Sequence, residues 1–495
     1  MSSGPSLGTK VNRGVAWAAA GQGVIAIADL LSQILIVALW IPADDLGLAG
    51  GAMAFYTALD YIADLGVSSA LIQHDDHTSE RVSTMFWFNV LITGGLFVAL
   101  LGFGPLYGWL LHKPIVGWLL IGYGGKLVIQ NLYAIPFALL KKELRYGEIA
   151  KARIAAHVSE SLARVVFAAA GMTIWCWTLA ALVRALVFGV IIQIMRPFVP
   201  KLVFRLREAT HYVRFGLRTT ASNVLYYLYT SMDVPVILMF FGETAAGIYT
   251  LADQIVLEPV KSIANIVTDV GQATFARLRN DRPALIAELI KLTRFNLMTI
   301  LPYVVVVLLV IPEILQLFYT RGHWSPRQLE LASDAARLLC VMGLFRALGY
   351  LGPPVLDGTG HPERTLRYMI IATFAVPGSF VLAAATLGSH FAHDAGFLSV
   401  ALAWAFGYPL AFAALAFLVV KTIDLPVSRY VGSSIPIVAC AAAGLAVGFA
   451  IDLALPHASD IIRLAAIGGS ALATIAILLA TWQGITPRSI AASLK

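Results

Sequence analysis

The sequence predicts an all-α polytopic membrane protein of about fourteen transmembrane helices, with two pseudo-symmetric six-helix lobes around a central cavity and two further C-terminal helices. Three observations predict this. Of 495 residues, 59% are hydrophobic and 13% charged, against about 25% charged in a soluble domain, and the mean hydropathy is +0.80. Apolar stretches of roughly 20 residues, the length that crosses a bilayer, recur from one end to the other with no polar segment long enough for a soluble domain. The two halves echo each other at a spacing of about 200 residues.

With Gly, Pro and charge clusters as punctuation, the predicted helices run over 13–40, 46–73, 82–111, 115–140, 150–171, 174–196, 212–240, 245–276, 289–319, 328–356, 365–388, 395–420, 427–451 and 460–483. The stretch before the first helix (MSSGPSLGTKVNRG) lacks a signal-peptide pattern, and the first span is too long for a signal core, so it is expected to be retained. Loop charge sets the orientation. Alternate connections, beginning with the N-terminus, hold twenty-four of the 35 basic residues, and the opposite side holds only Lys113, Arg321, Arg327 and Arg463. That asymmetry places both termini in the cytoplasm. It also explains most of the net charge of +7 and the pI near 9.2 without nucleic acid, for which no module has room.

The repeat is read from paired landmarks. Arg13-Gly14 opens the first helix and Arg214-Phe215-Gly216 the seventh; Asp44-Asp45-Leu46-Gly47 precedes the second and Glu243 to Gly247 the eighth; Asp75-Asp76 follows the second and Asn280-Asp281 the eighth. Six helices separate the copies, so both insert in one orientation, with the substrate site between two lobes. The domains follow: an N-lobe over 1–196, a basic amphipathic cytoplasmic linker over 197–211 expected as a helix on the membrane surface, a C-lobe over 212–421, and an extra helix pair with the tail over 422–495. Cys176, Cys340 and Cys440 lie in apolar spans, offer neither a disulfide framework nor a metal-ligand spacing, and read as small buried residues.

Short motifs carry a family resemblance. The acidic loop ending in Leu46-Gly47, Tyr61-Ile62-Ala63-Asp64-Leu65-Gly66 with Ala70-Leu71-Ile72-Gln73, Ser231-Met232-Asp233, Gly247-Ile248-Tyr249 with Ala252, and Phe275-Ala276-Arg277-Leu278 occur in an order that resembles the Wzx-type polysaccharide repeat-unit flippases. These belong to the multidrug/oligosaccharidyl-lipid/polysaccharide (MOP) exporter superfamily. The resemblance covers about residues 10–420. It implies twelve core helices in two lobes, and translocation of an undecaprenyl-pyrophosphate-linked oligosaccharide from the cytoplasmic to the periplasmic leaflet of the bacterial inner membrane. It implies no cofactor. The implied partners are the lipid-linked substrate, membrane lipids, a coupling ion (proton or sodium) and other polysaccharide-assembly proteins.

Charge within the spans supplies the candidate site, since an ion in hydrocarbon normally faces a wet cavity or a partner. Lys126, Arg184 and Arg294 lie deep in the fourth, sixth and ninth helices, with Arg346 next in the tenth; these are the candidate pyrophosphate ligands of a cationic lumen. Arg164 and Arg337 read instead as snorkelling to the interface. Asp60 and Asp64, four apart, share a face of the second helix and could hold a proton or small cation. Gln22, Asp29 and Gln33 form one polar stripe in the first helix, and Ser222, Tyr229 and Asp233 repeat its spacing in the seventh. Asp29, Asp60, Asp64 and Asp233 are therefore candidates for ion coupling or glycan binding, as are Tyr226 and Tyr229, whose rings suit sugar faces; interhelical hydrogen bonding is the structural alternative. Glu258 and Lys261, three apart, are expected to pair. Trp17, Trp40, Trp109, Trp118, Trp175, Trp177 and Trp482 read as interfacial anchors, and Pro302, Pro312 and Pro353-Pro354 as bends.

A flippase is the leading reading, and an ion-coupled multidrug or metabolite antiporter of the same superfamily the alternative. A glycan polymerase or ligase needs a catalytic constellation on a sizeable outward loop, but the longest outward connection is about 320–327 and carries none. A pure assembly scaffold would not need charge inside its spans.

Overall fold

The computed structural model describes residues 25, 28–64, 79–143, 145–205, 224–320 and 322–484, and among them there is helix and no strand. Gln22, Ser222, Trp17, the openings at Arg13 and Arg214, the motif segment after Asp64, Asp75-Asp76 and linker residues 206–211 lie outside the described residues, as do the side chains of Asp60, Asp64 and Asp269. Nine helices among the described residues are long and apolar enough to cross a membrane. Many of their outward side chains are aliphatic or aromatic, as Leu91, Ile194, Phe374 and Leu410 show, a surface suited to lipid. The chain divides into two compact units, Met1–Gly247 and Ile248–Lys495.

The first unit opens with α1 (Ala28–Leu39) and α2 (Ala43–Asp64). Next come α3 (Ser79–Leu110), α4 (Pro114–Lys142), α5 (Tyr146–Ala169) and α6 (Cys176–Met195). Helices α3 and α4 form a tight hairpin: Pro114 sits at the first turn of α4, and a Cβ on Gly117 would overlap the Gly104 carbonyl. Inside this apolar pair, Asn89 donates to Asn131 (2.8 Å) and Asn131 to Thr93 (2.6 Å), satisfying polar groups that lipid could not. Gly171, at φ 84°, turns the chain between α5 and α6.

Residues 197–205 correct the expected linker helix over that stretch, because they run without helix as a strap along the start of α3. The strap is bonded from both sides: Trp87 donates to the Lys201 carbonyl (2.8 Å), the Lys201 amide to Ser83 (3.0 Å), and Arg205 pairs with Glu80 (2.7 Å). Side chains of α3 thus take the backbone groups a helix would have paired internally.

The helical residues 224–231 (α7) lead into α8 (Asp233–Arg277). Gly242, at φ 85° and ψ −177°, breaks α8 where the sequence predicts a boundary between two spans. At this break α8 meets α2. A Cβ on Gly247 would overlap the Ala43 carbonyl, one on Gly47 would overlap the Glu243 carbonyl, and Thr244 donates to Asp44.

The second unit holds α9 (Arg282–Tyr319), α10 (Pro326–Gly349), α11 (Gly352–Gly358), α12 (Pro362–Thr386), α13 (Leu398–Ile423), α14 (Val427–Ala454) and α15 (Asp460–Gln483). The predicted proline bends appear at two places. Val310 leaves helical geometry two residues before Pro312, and α10 ends just before Pro353-Pro354 start α11. The last two helices dock on α9 through an apolar cluster that includes Leu301, Val305, Cys440, Ala441 and Ile475. Arg463 locks them there, donating to Glu313 of α9 (2.8 Å) and pairing with Asp452 of α14. All three cysteines are buried and unbridged.

Candidate functional site

Helix α5 carries Arg153 and, four, seven, eight and eleven residues on, His157, Glu160, Ser161 and Arg164, which places them on one face. That face meets α1, α4 and α6 and gathers most of the first unit's described intramembrane charge. Asp29 of α1 accepts from Ser161 (2.9 Å) and lies 3.5 Å from His157 Nδ1 and 3.9 Å from Arg164. Arg164 also donates to Ser32 (3.2 Å) and lies 3.8 Å from Glu160. On its other side Glu160 meets Arg184 of α6 at 3.2 Å, and His157 Nδ1 is 3.6 Å away. The Glu160 side chain is only 9% exposed. A buried carboxylate there costs several kcal/mol unless paired, and two guanidinium groups supply the pairing. Asp29, His157 and Glu160 therefore belong to an ion-pair network whose negative charge is met by arginine.

Beside this network opens a cleft of about 200 Å³. Lys126, Arg153, Arg184 and His157 line it together with Gln130 and Tyr133. Lys126, 2% exposed, hydrogen-bonds the hydroxyl of Tyr56. Its ammonium also lies 4.7 Å from the Tyr56 ring centroid, and that ring stacks on Tyr123 at 4.4 Å. An electron-rich face and a hydroxyl thus hold a cation inside an apolar helix pair. Three cations converge on a space below the roughly 300–1,000 Å³ of a drug-sized pocket, which suits a compact anion better than a whole glycan.

Two sequence-derived candidates, Lys126 and Arg184, thus share one cleft, and Asp29 joins it through His157 and Arg164. The others lie on other helices. Arg294 of α9 donates to Gln483 of α15 (3.1 Å), and Arg346 is buried in α10. Asp233, 4% exposed, begins α8 and accepts from the Val234 amide (2.9 Å). Tyr226 meets Tyr229 edge-on at 5.6 Å, with Tyr229 fully buried. Asp60 and Asp64 lie on α2, their carboxylates outside the described residues.

Several readings change. Arg164 does not snorkel: it is 11% exposed and tied to Asp29, Glu160 and Ser32. Arg337, by contrast, is 46% exposed beside Asp334. Trp177 is no interfacial anchor but a buried residue donating to Gln33 (3.1 Å), whereas Trp109, Trp118 and Trp482 are exposed as anchors should be. Glu258 and Lys261 pair at 3.2 Å as expected. Arg153, absent from the sequence candidates, lines the cleft, and His157 and Glu160 join it. Their helical spacing from Arg164 was the signal that could have found them.

Comparison with known proteins agrees with this architecture. The chain is 25% identical over 397 residues to the lipopolysaccharide biosynthesis protein WzxC of Escherichia coli strain K12, covering 78% of this chain and 77% of the relative. It is 25% identical over 411 residues to the teichuronic acid biosynthesis protein TuaB of Bacillus subtilis strain 168, covering 80% of each. Among solved structures, the fold matches the lipid II flippase MurJ in its inward closed conformation with a TM-score of 0.72 at 16% identity, over 93% of this chain and 98% of that one. It matches an inward-facing multidrug resistance MATE transporter of the MOP superfamily at 0.59 and 17% identity, over 82% of this chain and 96% of that one. A sequence profile described as "Polysaccharide biosynthesis protein" matches residues 14–327, more than half of the chain, so this multi-pass membrane protein belongs to that family, and its sequence resemblance to the MOP-superfamily polysaccharide flippases is borne out.

Proposed function

We propose that the protein flips an undecaprenyl-pyrophosphate-linked oligosaccharide repeat unit across the bacterial cytoplasmic membrane by alternating access coupled to an ion gradient, with both termini in the cytoplasm. The observation that carries this reading is the cleft in which buried Lys126 converges with Arg153 and Arg184. A pyrophosphate dianion cannot cross hydrocarbon unassisted, and convergent Lys and Arg offer it charge-assisted hydrogen bonds. Relatives named for lipopolysaccharide, teichuronic acid and succinoglycan biosynthesis support the substrate class. The likeness to a multidrug transporter keeps an ion-coupled antiporter as the second reading.

The test is reconstitution of the full chain in vesicles carrying a polyprenyl-diphosphate oligosaccharide, with leaflet exposure read by a membrane-impermeant lectin or glycosidase. Transfer above that of empty vesicles, lost in Lys126→Gln, is the expected result. No transfer, together with gradient-driven efflux of cationic drugs, overturns the flippase reading for the antiporter. Unchanged transfer without proton or sodium gradients removes ion coupling alone.

A further inference from the structure

His157 Nδ1 stands almost equidistant from two carboxylates on different helices, 3.5 Å from Asp29 and 3.6 Å from Glu160, and the same residue lines the cationic cleft. Among the described residues, the charged groups that approach it, its two carboxylates or its cleft are Asp29 on α1, Lys126 on α4, Arg153, Glu160 and Arg164 on its own α5, and Arg184 on α6. Arg184 is shared between two environments. Its guanidinium holds Glu160 at 3.2 Å, and its side chain also borders the cleft. Glu160 is thus contested by Arg184, Arg164 and, when protonated, His157.

We propose that protonation of His157 hands Glu160 a third positive partner beside Arg164 and Arg184 and releases Arg184 toward the cleft, so that a proton and a dianionic, diphosphate-type head group bind cooperatively. The inference rests on reading the cleft as the anion site of the transport substrate. A guanidinium is held less firmly by a carboxylate that also carries an imidazolium, because repulsion between the two cations offsets part of the attraction. An anion lodged between Lys126, Arg153 and Arg184 attracts a proton to the imidazole that borders the same space. Linkage makes the effects equal: whatever factor the proton adds to anion affinity, the anion adds to proton affinity. Histidine is suited to the task because its charge changes between about pH 5 and 8.

The experiment measures sulfate binding to the detergent-solubilised full-length protein by calorimetry; sulfate keeps its charge throughout the range. Expected is a tightening of about fivefold or more between about pH 8 and 5.5, with proton uptake on binding revealed by buffers of different ionisation enthalpy. His157→Gln should bind with an affinity independent of pH, and Glu160→Gln should bind more tightly at high pH because Arg184 is already released. Repetition with inorganic pyrophosphate should keep the difference between wild type and His157→Gln. An identical pH dependence in wild type and His157→Gln, or sulfate binding without proton uptake in the wild type, overturns the switch. Absence of sulfate and pyrophosphate binding at every pH overturns the cleft as an anion site. The vesicle flipping assay separates these failures from that of the function: transfer that persists while the switch fails leaves the flippase reading standing. If His157→Gln does not fold, the wild-type proton count decides alone.

Discussion

Gly47 and Gly247, about 200 positions apart as the internal repeat requires, meet at one helix crossing where neither has room for a Cβ. The contacts are reciprocal. Gly47 abuts the carbonyl of Glu243, and Gly247 abuts the carbonyl of Ala43. Since Glu243 and Gly247 are the repeat equivalents of Ala43 and Gly47, each segment presents to the other the surface it receives, as in an isologous contact. Gly47→Ala or Gly247→Ala is therefore expected to destabilise by about 1–3 kcal/mol, read as a lower melting midpoint. Because both glycines serve one crossing, the double variant should lose less than the sum.

Lys126 gives the sharpest functional expectation. Its ammonium is buried against Tyr56. Lys126→Gln should lower vesicle transfer by roughly tenfold or more, the loss expected when one charge-assisted contact worth about 1.5–3 kcal/mol disappears. Tyr56→Phe removes the hydroxyl but keeps the ring beside the cation, and should reduce transfer less. Equal transfer by Lys126→Gln and wild type would exclude Lys126 from substrate binding.

Removing Arg463 should test the lock on the terminal helices. Glu313 is 5% exposed and accepts from Arg463 at 2.8 Å. Arg463→Met is expected to cost about 3 kcal/mol or somewhat more by stranding a buried carboxylate. Adding Glu313→Gln should recover much of that loss, since the uncompensated charge is then gone. Thermal unfolding of the two variants checks both the direction and the recovery.

A pH effect is expected outside the membrane spans. Arg327 pairs with Asp394 at 2.8 Å, tying the start of α10 to the loop before α13. The Arg327 hydrogen bond holds the Asp394 carboxyl below its usual range, so the folded state binds this proton less readily than the unfolded chain. The contribution is therefore present above the unfolded pKa of about 3.9 and is lost as pH falls through the lower folded value. The melting-point gap between wild type and Asp394→Asn should be constant from about pH 5 to 8 and close below about pH 4.

Arg294 offers a contrast with Lys126. Both are basic residues deep within predicted spans, yet Arg294 reaches Gln483 on the last helix. Arg294→Gln is expected to lower the melting midpoint while leaving vesicle transfer within about twofold, a factor small beside the tenfold that 1.4 kcal/mol would give.

Hydropathy alone separated the spans because every backbone group in lipid must pair within its own helix, leaving long apolar runs in the sequence. The break near residues 240–245 was legible for the same reason, and Gly242 supplies the backbone geometry that makes it. The site was only partly legible. Lys126 and Arg184 were found because charge in an apolar run is conspicuous, and Asp29 for the same cause. Arg153, His157 and Glu160 escaped although they fall inside the predicted helix 150–171, because they lie toward its polar start rather than deep in an apolar run, and Arg164 because depth along a helix does not say which way a side chain points.

What the sequence by itself determined is the membrane class, the helical fold and the family, all properties of one-dimensional pattern: apolar run length and motif order. The tertiary structure alone decided which charges meet. Partners as far apart as Asp29 and Ser161, or Glu313 and Arg463, are brought together by helix rotation and packing. A cation that the sequence shows only as stranded in grease becomes either a cleft residue, as Lys126 does, or half of a structural tie, as Arg463 does.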